Sequence, residues 1–267
     1  MTRITETFKQ LKKDGRKALI PFVTAGDPSI GQTLNLMSAL VQGGADIIEL
    51  GVPFSDPMAD GPTIQRASER ALEKGTSLSD IFEIVGEFRK TNNHTPIVLM
   101  GYANPIESMG VEAFVSRASS SGVDGVLVVD YPPEEGSELS AALKTSGIDS
   151  IYLLAPTTVE SRVKQVANLA SGYVYYVSLK GVTGAGHLDV DEVATRVEHI
   201  KKHVKIPVGV GFGIRDGDTA RAVAAVSDAV VVGSRLVEEI EQSNEITVSA
   251  NVRNFVNSLR EAIDEDR

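Results

Sequence analysis

A chain of 267 residues with 42% hydrophobic and 23% charged side chains has the composition of a globular protein with room for one large core. It contains no cysteine, which excludes disulfides, thiolate catalysis and cysteine-bound zinc. Its net charge of −10 speaks against nucleic acid and acidic membrane surfaces as partners, but leaves open a small phosphorylated ligand held by backbone N–H groups.

The first residues, Met1 to Phe8, lack the apolar centre of a signal peptide, and no apolar run reaches bilayer-spanning length, so the cytoplasm is the expected location. Ile4, Phe8 and Leu11 stand at helical spacing and predict a short amphipathic helix. Beyond it one pattern recurs eight times: a short β-branched run, a loop with Gly or Pro, then a helical stretch. The strand candidates are 18–24, 46–50, 96–101, 125–130, 150–154, 173–178, 207–211 and 229–233. Helical patterns follow over 31–42, 78–90, 111–120, 134–144, 159–169, 190–203 and 216–226, then roughly 235–242 and 247–265. The strand runs are almost continuously apolar, as parallel strands covered on both faces are. Eight β–α units without a composition break predict an α/β fold, a (β/α)8 TIM barrel in one domain over 1–267 with an extra N-terminal helix. The competing architecture is an open doubly wound sheet, which eight even units suit less well.

The stretch 51–77 breaks the even spacing, and a long loop at the C-terminal end of a barrel strand is usually functional. Before it, strand 46–50 carries Glu49 near its end; eleven residues later, after a loop too rich in Pro and Gly to be regular, comes Asp60. An acid inside a buried strand is costly unless paired or used. Two acids brought together by a loop suit proton transfer. With Glu49 inward, Ile47 shares its side and Ile48 and Leu50 face the helices. The same alternation offers Phe22, Met100, Tyr102, Leu127, Val129, Leu153, Tyr175, Phe212 and Val232 as an apolar lining, which would raise the Glu49 pKa by desolvation. The bland alternatives are an ion pair for Glu49, a helix N-cap before 62–73 for Asp60 and plain core packing for Tyr175.

Glycines follow strands six, seven and eight at 181–186, 209–213 and 233, with Ser234 next. Phosphate in such barrels commonly binds at the loops after strands seven and eight, where a Cβ would block approach to the backbone. The 181–188 stretch has the composition of a lid around Thr183. Lys180 raises a rival idea, a Schiff-base aldolase, but it lies beyond its strand with no cation beside it in sequence. Of the four histidines, His199 and His203 share a helix face with Glu198, Lys201 and Lys202, which reads as solvated surface; no metal is expected, and His94 and His187 suggest none.

The segment 49–61, ELGVPFSDPMADG, resembles the signature of the tryptophan synthase α chain family. Further matches lie at 21–28, 100–105, 181–184 and 211–214, so the resemblance spans essentially the whole chain. It implies a lyase that cleaves indole-3-glycerol phosphate to indole and glyceraldehyde 3-phosphate by a retro-aldol step, without metal or organic cofactor. It also implies that Glu49 moves the proton at indole C3, Asp60 stabilises charge at the ring N–H, and Tyr175 orients the glycerol part. Phe22, Met100, Tyr102, Leu127, Thr183 and Phe212 would bind the substrate, and Gly184, Gly213, Gly233 and Ser234 its phosphate. The implied partner is a β subunit holding pyridoxal phosphate in an α2β2 assembly, faced by Pro53, Asp56, Asn104 and Pro132. Lys180 and Tyr131 depart from the expected pattern. Three alternatives stay open: a stand-alone lyase, a synthase or isomerase on a related phosphorylated indole, and a mainly regulatory subunit. The second would call for an inward catalytic lysine, and the sequence offers none.

Overall fold

The computed structural model describes residues 1–178, 189–211 and 213–265. Its eight strands are β1 (Ala18–Thr24), β2 (Ile48–Gly51), β3 (Ile97–Gly101), β4 (Gly125–Val128), β5 (Asp149–Leu154), β6 (Val174–Val177), β7 (Val208–Gly211) and β8 (Ala229–Val232). All pair in parallel with their sequence neighbours, and β1 pairs with β8, closing the barrel in the order of the chain. The expected (β/α)8 barrel is therefore present.

The first helix, α1 (Arg3–Lys13), is started by Thr2, whose hydroxyl accepts from the N–H of Thr5. Ile4, Phe8 and Leu11 turn into the barrel interior and pack with Ile20, Ile47, Val98, Ile151 and Tyr173. Arg3 is tied to Asp124 at 2.8 Å and Thr2 to Asp149 at 2.6 Å, so α1 plugs the N-terminal end of the barrel. The outer layer comprises α2 (Ile30–Gln42), α3 (Pro62–Glu73), α4 (Leu78–Arg89), α5 (Ala103–Met109), α6 (Val111–Ser121), α7 (Ser137–Thr145), α8 (Glu160–Leu169), α9 (Val190–His203), α10 (Gly217–Val226), α11 (Ser234–Glu241) and α12 (Val248–Asp264). Their apolar faces meet the outward side chains of the strands, among them Ile48, Leu50, Leu99 and Val230, in the larger of the two main cores.

Some boundaries differ from expectation. Asp46 lies before β2 because its carboxylate accepts from the N–H of Leu19 at 2.8 Å and from Arg260, replacing ladder pairing. The helix expected from 134 starts at Ser137, after a turn at 134–136. Helix α5 was not foreseen: Pro105 sits in its first turn, where a missing N–H costs nothing.

Candidate active site

The β2 register sets Glu49 beside Phe22 on one side and Val98 on the other. Ile47 packs in the interior while Ile48 and Leu50 face the helices, so Glu49 points inward as alternation requires. It is 0% exposed, and no basic side chain pairs with it among the described residues. The hydroxyl of Tyr173, the residue before β6, donates to its Oε1 at 2.5 Å. Oε2 is buried with no partner. Burial pushes the carboxyl up to about 7, against the opposing pull of the Tyr173 hydrogen bond. The ion-pair alternative is thus replaced by a phenol contact that sequence reasoning missed.

Beyond Gly51, Pro53 and Pro57 keep the chain irregular until Pro62 opens α3. Asp60 is not the cap of that helix: Gly61 occupies the N-cap position and no side chain bonds there. The carboxylate of Asp60 instead receives the Tyr102 hydroxyl at 2.8 Å, and the same hydroxyl accepts from the N–H of Ala59 at 3.0 Å. Gln65 holds the Asp60 carbonyl at 2.8 Å. Burial raises the Asp60 pKa and the Tyr102 bond draws it down. Tyr102 therefore serves as a tie for the acidic loop, besides standing in the apolar lining; its ring also meets Phe54 at 5.2 Å.

Glu49 and Asp60 open on one cleft, bounded also by Phe22, Met100, Tyr175, Gly213, Gly233 and Ser234. Ala59, Gly61, Ile64, Ile214 and Val231 complete its wall, and the sequence reading did not single these out. Several lining expectations fail: Val129 borders only an adjoining recess, and Leu153 packs in the barrel interior beside Tyr175 without reaching the cleft wall. Leu127 is buried inside the barrel with Ile151 and Val98, away from the cleft wall. Val232 faces the helices, and Val231 takes the inward place, because it pairs with inward Ile20 in the β1–β8 register. Tyr102 borders an adjoining recess with Phe22, Asp60 and Met100 rather than the main cleft. Thr183, Gly184 and Phe212, with Lys180 and His187, lie outside the described residues.

Tyr175 is buried in the cleft wall, and that burial keeps its phenol protonated far above neutral pH. It fits because Gly211 on β7, two residues past its register partner Gly209, has no side chain: a Cβ there would run into the Tyr175 ring and hydroxyl. At the cleft's other rim, Gly213 has φ +80°, a conformation that favours glycine. Gly233 caps α11 and Ser234 is its first residue. First-turn N–H groups have no partners within a helix and, with the helix dipole, favour an anion. The cleft thus joins two poised acids, an apolar slot and an N–H-rich rim.

Of the positions expected to face a partner, Asp56 and Asn104 are exposed, Pro132 is half-buried, and Pro53 is buried, so it presents no surface. Tyr131 lies outside the cleft, its hydroxyl donating to Glu107.

A sequence model of the tryptophan synthase alpha chain family matches residues 8–264. The chain is 62% identical over 264 residues to a tryptophan synthase alpha chain of an Azoarcus species, covering 99% of this chain and 97% of that one. It is likewise 62% identical to that of Nitrosomonas europaea, covering 99% and 96%. Its backbone superposes on tryptophan synthase subunit alpha of Legionella pneumophila with a TM-score of 0.93, at 42% identity over 99% of each chain.

Proposed function

The chain belongs to the tryptophan synthase alpha chain family, whose lyase activity cleaves indole-3-glycerol phosphate in tryptophan biosynthesis, and we propose that Glu49 and Asp60 carry that cleavage here. The substrate's indole lies in the slot between Phe22, Ile64 and Met100, and its phosphate at Gly213, Gly233 and Ser234. Glu49, protonated, gives its proton to C3 of the ring. The ring becomes a cationic indoleninium, and Asp60 accepts its N1–H. The glycerol hydroxyl next to C3 then loses its proton to the Glu49 carboxylate, oriented by the Tyr175 hydroxyl. The bond from C3 to the side chain breaks and its electron pair restores the indole. The released carbon becomes the aldehyde of glyceraldehyde 3-phosphate. One proton enters at C3 and one leaves the hydroxyl, so Glu49 ends as it began. The indoleninium is itself the electron sink, which removes the need for a Schiff-base lysine.

The observation that carries this reading is the Glu49 carboxyl. One oxygen is anchored by Tyr173, the other is bare, and burial raises the pKa to about 7, close to that of an acid that both gives and takes a proton at neutral pH. Asp60 opposite, bonded by Tyr102, suits the developing positive charge.

The indole released would pass to a tryptophan synthase β subunit, which would hold the pyridoxal phosphate, in an α2β2 assembly met by the face around Asp56, Asn104 and Pro132. Among the described residues no helix is long and apolar enough to cross a membrane, and the proposed setting is the cytoplasm. The test is indole release from indole-3-glycerol phosphate by the purified chain, with and without a β subunit. Cleavage that rises with the partner and is lost in Glu49→Gln is expected; unchanged cleavage in that variant would overturn the assignment of Glu49.

A further inference from the structure

His199 and His203 stand one turn apart near the end of α9, their ring centroids 5.8 Å apart and edge-on. A spacing of four puts both imidazoles on one helix face. Glu160, the first residue of α8, meets that face: its Oε1 lies 3.6 Å from Nε2 of His203. One ligand atom from each of the three residues falls within 4.8 Å of the others. We propose that Glu160, His199 and His203 form a site for a divalent first-row transition ion, with zinc the biological ion they suit.

Two imidazoles and a carboxylate are the donor set zinc takes, with a water completing four-coordination. Donors around a tetrahedral ion at 2.0–2.2 Å sit about 3.3 Å apart, so side-chain rotations of about 1.5 Å would close the triad. Magnesium, which wants six oxygens, fits poorly. The ammonium of Lys164 already lies 2.5 Å from Glu160 Oε1. Lys164 is the competitor that an incoming cation must displace. A bound ion would join α8 to α9, the helices that follow β5 and β6. The histidine pair alone resembles a solvated face; the third donor comes from the neighbouring helix.

The test uses the untagged full chain, stripped with a chelator and titrated with zinc in a calorimeter, with unfolding midpoints recorded in parallel. One equivalent bound and a raised midpoint are expected, with magnesium giving neither. His199→Ala and His203→Ala should each weaken zinc binding about tenfold or more. Lys164→Gln keeps all three donors and removes the competing charge, so it should bind zinc several-fold more tightly, an effect that damage to the fold would not produce. No saturable zinc binding, binding undiminished by either histidine substitution, or a Lys164→Gln chain that binds no tighter than the parent would each overturn the site.

Discussion

Tyr173 and Glu49 are joined at 2.5 Å through one carboxyl oxygen, while the second oxygen of that carboxyl is buried and bare. The bond fixes the direction of the carboxyl without saturating it. Because the phenol donates, it also moderates the rise in pKa that burial causes.

Replacing Glu49 by Gln should lower turnover by about 10²–10⁴-fold. The same change should stabilise the fold at alkaline pH. Glu49 is raised from the usual 4.5 to about 7 in the folded chain, so it binds its proton more tightly folded than unfolded. That contribution is complete below the unfolded value and is lost as pH rises through the folded one, an effect on the order of 3 kcal/mol. Urea unfolding of parent and variant at about pH 5 and about pH 8.5 checks this. The variant should gain on the parent far more at the higher pH than at the lower; a constant difference would show that Glu49 ionises no differently in the two states.

Tyr173→Phe removes the hydrogen bond that draws the Glu49 pKa down. The Glu49 limb of the profile of kcat/KM against pH should move by about one to two pH units toward higher pH, the size expected of a hydrogen bond to a charged group. An unmoved limb would assign that titration to another residue.

Tyr102→Phe severs the link from Ala59 through the phenol to Asp60. Asp60 then loses the donor that favours its ionised form. Cleavage should fall about ten- to hundredfold in kcat/KM. Asp60→Asn in the Tyr102→Phe background should cost less than it does alone, because the two groups act as a unit.

Gly211→Ala places a methyl against the ring and hydroxyl of Tyr175. Overpacking of this kind should cost roughly 1–3 kcal/mol in stability, read from denaturant midpoints, and should slow cleavage by displacing the phenol. With Tyr175→Phe already present the closest collision is gone, so the stability cost should shrink. A cost equal in both backgrounds would place the strain elsewhere.

The barrel was legible because each parallel strand, covered on both faces, leaves an apolar run, and the Pro- and Gly-rich stretch 51–61 marks itself as irregular. The phase of β2 was legible too, since Glu49 is its polar marker. In β8 the run Ala229-Val230-Val231-Val232 carries no such marker, so only pairing with Ile20 decides that Val231 is inward. Tyr173 looks like an ordinary core aromatic; its even spacing from Tyr175 was the one local clue that both face the interior. The Tyr102–Asp60 bond and the meeting of Glu160 with His203 join distant parts of the chain, and no local pattern reports them.

The acid on β2 and the glycine rim after β7 and β8 stand near opposite ends of the chain. They become neighbours only because β1 zips to β8, from Ala18 opposite Ala229 to Pro21 opposite Val232. No contiguous half of the polypeptide holds both, so a partly assembled ring has nothing with which to cleave the substrate. Indole release during refolding therefore reports that seam: it starts only once β1 has met β8.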